Sequence, residues 1–157
     1  MDSIIVGEHR YDLLRAEEAD VPALVRLLSD DPLGASREAG TMDPYLAAFA
    51  EIDVDDNQLL LAVRDEADQV VATMQLTLIP GLARGGAKRL QIEAVRVAAG
   101  ARGGGLGAAL FAWAHDYGRT RGARLAQLTS DKTREGAHRF YRALGYTPTH
   151  EGFKRPL

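Results

Sequence analysis

A run of glycines between two apolar segments constrains the fold of this chain more than any other feature of its sequence. The run reads Arg102-Gly103-Gly104-Gly105-Leu106-Gly107 and follows an apolar, strand-like segment at residues 88–98. Beyond it, apolar residues recur at helical spacing from Leu106 to Tyr117, and residues 125–129 have the pattern of a further strand. A strand, a glycine loop, a helix and a second strand in this order predict one right-handed crossover whose two strands are parallel.

Glycines in this position predict a phosphate-binding loop, because they leave backbone N–H groups exposed where a helix begins. A nucleoside triphosphate loop is excluded, since it needs Lys followed by Ser or Thr where this chain has Ala108-Ala109. The dinucleotide fingerprint does fit Gly103, Gly105 and Ala108, with Asp131 after the next strand. That fingerprint opens a doubly wound sheet, whereas here an antiparallel pattern precedes the loop. A tightly turning loop without a ligand is the other alternative.

The composition limits the partners and the chemistry of that loop. The chain has 157 residues, enough for one domain with its own core, and no cysteine, which excludes disulfides and a cysteine nucleophile. Its 19 basic and 22 acidic residues give a net charge of −3 and are scattered, so we expect no nucleic-acid partner. It has neither a basic leader with an apolar stretch nor a long apolar run, so we expect a cytoplasmic protein without membrane contact. Its histidines lack metal-ligand spacing, so we expect no metal.

Hydrophobic periodicity predicts the remaining elements. Strands are predicted at residues 11–16, 58–63 and 70–79, the last two as an antiparallel hairpin. Helices are predicted after Asp20, after Pro44, and from Ala137 to Leu144, where Gly145 ends the last one. Residues 29–40 and 80–87 are predicted to be loops, and residues 147–157 are predicted to close the domain as one or two short strands.

Two motifs resemble those of the GNAT superfamily of N-acetyltransferases. The segment from Arg102 to Gly107 is similar to the family's acetyl-CoA loop, Gln/Arg-x-x-Gly-x-Gly/Ala. Ala137-His138-Arg139-Phe140-Tyr141-Arg142-Ala143-Leu144-Gly145-Tyr146 is similar to its C-terminal motif, Ala-x-x-Phe-Tyr-x-x-x-Gly-Phe/Tyr, and lies at the separation that the family shows. Leu14-Arg15-Ala16 followed by Asp20 resembles the family's opening strand and helix, so the resemblance extends over nearly the whole chain. The segment from Leu128 to Tyr141 is also similar to small-amine acetyltransferases such as the aminoalkylphosphonate enzymes.

The resemblance implies a fold and an activity. The fold is the α/β GNAT, or acyl-CoA N-acyltransferase, fold, a mixed and mostly antiparallel sheet of roughly six to seven strands flanked by about four helices. It would form one domain over residues 1–157. The activity is that of an acyltransferase that moves the acetyl group of acetyl-CoA to the primary amine of a small molecule. Because a chain without cysteine cannot form an acetyl-cysteine, direct attack by the amine in a ternary complex is favoured. Dimers are common in the family, so a homodimer is among the expected states.

The same resemblance implies which residues bind acetyl-CoA. The loop amides and the first turn of the following helix would bind the pyrophosphate, since unpaired N–H groups and the helix dipole coincide there. Main-chain groups near the end of the preceding strand would pair with the pantetheine arm like an added strand, and a nearby N–H would polarise the thioester carbonyl. Arg134 stands where many members carry an asparagine that contacts the cofactor, and it would either meet a CoA phosphate or lie on the helix surface. The expected cofactor-binding residues are Val95, Arg96, Val97, Arg102, Gly103, Gly104, Gly105, Leu106, Gly107, Ala108 and Arg134.

Glu93 and Tyr141 are the expected catalytic residues. An alkyl amine with a pKa of about 10.4 is almost fully protonated at neutral pH, so a base must accept a proton before the amine can attack. Glu93 lies near the end of the strand before the loop, where family members often carry a glutamate base, and its alternative is an ion pair with Arg89 or Arg96. Tyr141 matches the family's tyrosine that protonates the departing CoA thiolate, and its alternative is a core position beside Phe140.

The acceptor side is less well specified by the sequence. Gln75 lies with Thr73 and Thr77 on the polar side of a strand, facing either the acceptor or solvent. Residues 29–40, including Arg37 and Glu38, form either an acceptor-side lid or an ordinary surface loop. Three other functions remain open on the sequence alone: a protein acetyltransferase acting on an N-terminus or a lysine, a non-catalytic acyl-CoA-binding or sensory module, and a dinucleotide-binding protein.

Overall fold

Six strands in sequence order build the sheet that carries the glycine loop. The computed structural model describes residues 2–30, 38 and 40–156, and these fall into two units. The first unit ends at Gln127 and contains the sheet, and the second begins at Leu128 and contains one helix. In the part of the chain that is described, no helix combines the length and the apolar character needed to cross a membrane.

The sheet is antiparallel except at one edge. Strands β1 to β4 each pair antiparallel with the next strand along the chain, whereas β5 and β6 are parallel. The predicted hairpin is therefore confirmed, and so is the parallel pairing of the two strands that the predicted crossover joins. The strands are β1 (Asp2–Val6), β2 (His9–Arg15), β3 (Gln58–Arg64), β4 (Val70–Ile79), β5 (Lys88–Val97) and β6 (Ala123–Gln127).

The helices begin and end where the sequence carries the expected signals. Pro22 lies in the first turn of the first helix and Pro44 in the first turn of the second, and proline is tolerated there because its missing N–H has no partner in a first turn. Gly145, with a φ of 88°, follows the last helix. The helices in the described residues are α1 (Val21–Ser29), α2 (Asp43–Asp53), α3 (Ala83–Gly86), α4 (Leu106–Thr120) and α5 (Glu135–Ala143).

Helices cover both faces of the sheet. On one face, Val21 and Leu24 of α1 and Phe49 of α2 form a buried cluster with Ala62 of β3. On the other face lies α4, whose apolar side is buried. The approach of α4 is close, since a Cβ added at Gly118 would lie 3.0 Å from Leu90 Cδ2. Because strand side chains alternate between faces, Leu90 faces α4 while its neighbours along β5 face α1 and α2.

Two terminal segments differ from the sequence prediction. Strand β1 was not predicted; it is a short edge strand that reverses into β2 at Gly7, which adopts a φ of 63°. The strands predicted at residues 147–157 are wrong for the described residues 147–156, which contain no strand and are exposed. Pro148 and Pro156 lack the N–H groups that a strand ladder uses, and Gly152 disfavours a strand. The segment α3 lies inside the predicted connection at residues 80–87; it is a single turn in which Arg84 and Gly85 have left-handed backbone angles, so it is not a regular right-handed helix.

Candidate active site

The glycine loop has the backbone geometry of an open helix N-terminus. Gly103 has a φ of 83° and Gly105 a φ of 94°, conformations that side chains rarely adopt, so the glycines permit this turn. Gly105 is the N-cap of α4, and neither a side-chain cap nor an acidic residue occupies that first turn. A Cβ added at Gly103 or Gly104 would meet no atom within 4 Å. The amides of the first turn therefore face an open surface on the positive end of the helix dipole.

The loop is supported from the protein side by apolar contacts. Leu106 is only 1% exposed and anchors the first turn of α4 in the core. Gly107 and Ala108 are half-buried. A Cβ at Gly105 would lie 3.6 Å from Val6 Cγ1, so the end of β1 lies directly behind the loop.

The guanidinium of Arg102 is hydrogen-bonded to other groups of the protein. Its Nε donates to Val97 O at 2.8 Å, and its Nη2 donates to Asp30 Oδ2 at 2.7 Å. Asp30 is the C-cap of α1. One arginine thus ties the glycine loop to the end of β5 and to the end of α1. Asp30 could not be identified from the sequence, because the two residues are 72 positions apart and no local pattern joins them.

The edge of β5 becomes unpaired on one side before it reaches the loop. The parallel ladder with β6 runs only from Lys88 to Gln91. In the described residues, positions 92–97 of β5 therefore have strand partners only on the β4 side. Val95 and Val97 lie in this stretch, half-buried, and their main-chain groups belong to an edge that an extended ligand can extend as a strand.

A bulge lies in the same part of β5. Gln75 pairs with Glu93 and Thr73 pairs with Arg96, so Ala94 and Val95 together face one residue of β4. Ala94 adopts a φ of 52°, which is unusual for a residue with a side chain. Bulges bend a strand and increase its local twist. The bend therefore falls between Glu93 and the loop.

Glu93 is exposed on the sheet face that carries α1 and α2. In the described residues its carboxylate has no ion pair with Arg89 or Arg96, the alternative that the sequence left open; Arg96 Nη1 donates instead to Val95 O at 2.9 Å. Gln75 lies directly opposite Glu93 on β4. A solvent-facing carboxylate beside an open strand edge can accept a proton from an incoming group.

Next to Glu93 lies a set of hydrogen-bonded polar side chains, four glutamines and one threonine. It is here called the amide row and consists of Gln58, Gln75, Thr77, Gln91 and Gln127. Gln58 Oε1 accepts from Gln75 Nε2 at 2.8 Å and from Thr77 Oγ1 at 3.1 Å. Gln127 Nε2 donates to Gln91 Oε1 at 2.7 Å. Thr73 does not belong to this row, because it is buried and donates to Leu61 O. Of the row, the sequence analysis named only Gln75 and Thr77.

In the second unit, Tyr141 lies among aromatic rings. Its ring centroid is 5.6 Å from that of Phe140 and 6.2 Å from that of Tyr146, both edge-to-face. Tyr146 N donates to Tyr141 O at 3.0 Å, which fixes the turn after α5. Burial, with a smaller contribution from Tyr141, raises the pKa of Tyr146 to about 12. Tyr141 is thus half-buried in an aromatic cluster while it lies on the helix that carries the second motif.

The turn before α5 is organised by Asp131. Its Oδ1 accepts from Thr133 N at 3.0 Å and from Thr133 Oγ1 at 2.7 Å. Its main-chain oxygen accepts from Arg134 N at 3.1 Å and lies 2.8 Å from His138 Nε2. Arg134 is the N-cap of α5 and is half-buried.

Some predicted acceptor-side residues are only partly described. Arg37 lies outside the described residues. Glu38 Oε2 accepts from Tyr45 Oη at 2.8 Å, and this hydrogen bond raises the pKa of Tyr45. Across the described ranges, no group of three or more metal-ligating side chains comes together.

A cavity of about 560 Å³ lies elsewhere in the first unit. Leu13, Leu61, Trp113, Tyr117 and Arg121 are among its lining residues. None of the predicted catalytic or cofactor-binding residues lines it. The candidate site therefore consists of the sheet face at Glu93 and the glycine loop, and this cavity is separate from it.

Comparison with known proteins agrees with this geometry. The sequence model of the Acetyltransferase (GNAT) family matches residues 21–146. The crystal structure of a protein described as a transcriptional regulator from Bacillus halodurans is 38% identical, with a TM-score of 0.87, over 94% of this chain and 99% of that one. A putative acetyltransferase from Agrobacterium tumefaciens is 23% identical, with a TM-score of 0.77 over 93% and 99% of the two chains, and shares the fold.

A curated protein matches a shorter segment. An aminoalkylphosphonate N-acetyltransferase from Salmonella typhimurium is 41% identical over 56 residues, which is 36% of this chain and 36% of that protein. This match therefore spans only about a third of the curated relative. The family match, in contrast, contains the end of β5, the glycine loop and the Phe140-Tyr141 motif. The chain therefore belongs to the GNAT family of acetyltransferases.

Proposed function

We propose that this protein transfers the acetyl group of acetyl-CoA to the primary amine of a small molecule, by direct attack of the amine in a ternary complex. The observation that carries the proposal is the junction of β5 and α4, where an unpaired strand edge leads into an uncapped helix N-terminus. GNAT enzymes use acetyl-CoA as co-substrate. The match to an aminoalkylphosphonate N-acetyltransferase supports a small amine as acceptor. We also propose that residues 1–157 act as one domain, since the family match continues from the first unit into the second.

The proposed donor site uses backbone groups more than side chains. Amides of residues 103–108 bind the pyrophosphate, because the first turn of α4 has N–H groups without intrahelical partners. Main-chain groups of Val95, Arg96 and Val97 pair with the pantetheine arm in the manner of an added strand. Val95 O and Val97 O each already accept one hydrogen bond from an arginine side chain, and a carbonyl oxygen can accept a second. Arg102 contributes by holding the loop in place through Val97 and Asp30. Arg134 contributes a cation for a CoA phosphate.

In the proposed chemistry, Glu93 accepts a proton from the ammonium group of the acceptor. The neutral nitrogen then forms a bond to the thioester carbonyl carbon, and a backbone N–H in the bulged part of β5 stabilises the oxyanion. The new carbon–nitrogen bond leaves an extra proton on the nitrogen; this proton later restores the phenol of Tyr141, and the proton on Glu93 passes to solvent. The carbon–sulfur bond breaks, and Tyr141 Oη gives its proton to the thiolate. A phenol is a weaker acid than a thiol, so this transfer is uphill by about 2 kcal/mol in water, and the difference narrows where the thiolate is desolvated.

The test is the release of CoA thiol from acetyl-CoA across a panel of small amines, amino acids and peptides. Glu93→Gln and Tyr141→Phe should each lower kcat by about 100-fold or more, because general acid–base catalysis typically contributes that much. Glu8→Gln and Tyr117→Phe serve as matched controls, since Glu8 lies in the turn after β1 and Tyr117 stacks with Arg121. Unchanged turnover in both site variants would overturn the residue roles. Turnover of peptides alone would point to a protein acetyltransferase.

A second candidate function is a non-catalytic acyl-CoA sensor. It is favoured by one observation, the 38% identity to a protein described as a transcriptional regulator. In that case the chain would bind acetyl-CoA tightly and turn over none of the amines. Calorimetric binding of CoA, measured beside the turnover assay, separates the sensor from the enzyme.

A further inference from the structure

The amide row is a neutral hydrogen-bonding surface built across four strands. Gln58 pairs with Thr77, Thr77 pairs with Gln91, and Gln91 pairs with Gln127. Residues that pair directly across strands point to the same face, so these four side chains form one line on the face that carries Glu93. Each of them is half-buried. Elsewhere on this face, at Ala62, the sheet packs against the apolar cluster of α1 and α2.

The internal hydrogen bonds of the row leave a defined set of groups for a ligand. Gln58 Oε1 already accepts two hydrogen bonds, and Gln58 Nε2 remains as a donor. Gln75 uses its Nε2 and keeps Oε1 as an acceptor. Gln91 keeps its Nε2 as a donor, and Gln127 keeps its Oε1 as an acceptor. In the described residues the row thus presents both donors and acceptors, and it holds these amides in place through their mutual contacts.

The position of the row relative to Glu93 fits an acceptor bound along β5. Gln91 and Glu93 are two residues apart on one face, which is about 6.7 Å in a strand. Gln75 lies directly opposite Glu93 on the neighbouring strand. When the amine of a bound molecule lies at Glu93, the groups that are two to three bonds from that amine therefore lie against Gln75 and Gln91.

We infer that the acceptor is a primary amine with neutral hydroxyl groups close to the amine, of the amino-alcohol or amino-sugar class. The inference rests on the proposed acetyl transfer at Glu93. A hydroxyl both donates and accepts, as does each side-chain amide, so the two are complementary without any charge. The row itself contains no Lys or Arg to neutralise a phosphonate or carboxylate; the arginines on the same face of β5, Arg89 and Arg96, lie outside the row, on either side of Gln91 and Glu93. An alkylamine would leave the amides without partners, which a binding site built from polar groups disfavours.

The experiment compares three small primary amines on the wild-type enzyme: 2-amino-1,3-propanediol, isopropylamine and 1-aminoethylphosphonate. We expect kcat/KM, corrected for the free-base fraction of each amine, to be at least about tenfold higher for the diol than for the other two, since each neutral hydrogen bond corresponds to roughly two- to tenfold. Equal or higher values for isopropylamine or the phosphonate would overturn the inference and leave acetyl transfer standing. Absence of turnover with every amine in the wider panel would instead remove the proposed function.

Gln91→Met then tests the row itself, because methionine keeps the length of the side chain and removes its hydrogen bonds. We expect the preference for the diol to fall by several-fold while kcat/KM for isopropylamine changes little. Gln69→Met is the control, since Gln69 lies in the turn between β3 and β4. An equal loss for all three amines would contradict a role in specificity. Gln127→Met supplies a second test, and thermal unfolding of each variant checks that it is folded.

Discussion

Arg102 in the glycine loop and Asp30 at the end of α1 are joined by an ion pair of 2.7 Å between Nη2 and Oδ2. The same guanidinium holds Val97 O through Nε. The side chains are 50% and 46% exposed, so the pair adds little to global stability, about 0–1 kcal/mol. Its consequence is local: the position of the loop depends on the end of a helix that packs on the opposite face of the sheet from α4.

Asp30→Asn is therefore expected to weaken acetyl-CoA binding by several-fold and to leave the free energy of unfolding nearly unchanged. Calorimetric titration with CoA and denaturant unfolding measure the two effects. Asp116→Asn is the control, because Asp116 forms an exposed ion pair with Arg119 within α4. If Asp30→Asn has no effect on affinity while Arg102→Gln lowers it strongly, Arg102 contacts the cofactor directly.

Gly103 and Gly104 form a matched pair for testing the loop. Gly103→Ala forces a side chain into a φ of 83° and should cost about 1–2 kcal/mol of stability. Gly104 has open space and no left-handed φ, so Gly104→Ala should change stability by less than about 0.5 kcal/mol. Both should weaken CoA binding, because a methyl group there obstructs the approach of a phosphate to the backbone. Unaltered affinity in Gly104→Ala would show that no ligand approaches that surface.

Gly118 permits the close packing of α4 on β5. A Cβ there would lie 3.0 Å from Leu90 Cδ2 and 3.3 Å from Leu90 Cβ. Alanine gains about 1 kcal/mol in helix propensity, but overpacking costs about 1–3 kcal/mol, so Gly118→Ala should be destabilising overall. Gly136→Ala, at an exposed position of α5, is the control and should stabilise. Leu90→Val should cost less in the Gly118→Ala background than alone, and additive effects in denaturant unfolding would argue against the clash.

The raised pKa of Tyr146 predicts a pH dependence of stability at the alkaline end. Below pH 10 the phenol is neutral in both the folded and the unfolded chain, so its contribution is fully present. Between pH 10 and about 12 the unfolded chain ionises first, so the folded state binds more protons and stability falls as pH rises. Tyr146→Phe should reduce this slope in unfolding experiments. The change across the interval should be smaller than the roughly 2.7 kcal/mol that two pKa units correspond to, because solvent partly screens the half-buried side chain. An identical slope in wild type and variant would contradict the burial of the phenol.

The crossover and the hairpin could be predicted because their signals are local. Alternation defines β4, helical spacing defines α4, and the glycines mark the turn between β5 and α4. Strand β1 could not be predicted in this way, because its five residues form an edge strand that is fixed by pairing with β2. At the C-terminus, by contrast, a strand was expected and does not form in the described residues 147–156, because the prolines there cannot donate to a strand ladder.

The candidate site could be predicted where it lies on one stretch of chain and not where it is assembled from several. The candidate residues between Glu93 and Ala108 lie on one continuous stretch, so motif spacing was sufficient to propose them. The amide row draws its members from four strands, and which residues meet across those strands is set by pairing registers that no spacing rule shows. The link between Arg102 and Asp30 likewise depends on tertiary packing.

The bulge in β5 has a consequence for how this chain tolerates deletion. Without Ala94, Val95 would face Met74 singly, while Gln75 would still meet Glu93 and Thr73 would still meet Arg96. Every pairing on either side would therefore survive, and the strand would lose only its bend. We expect a chain lacking Ala94 to fold, which circular dichroism would show, and to bind CoA more weakly. Ala94 is thus expected to set the direction in which the glycine loop leaves β5, although the sheet can form without it.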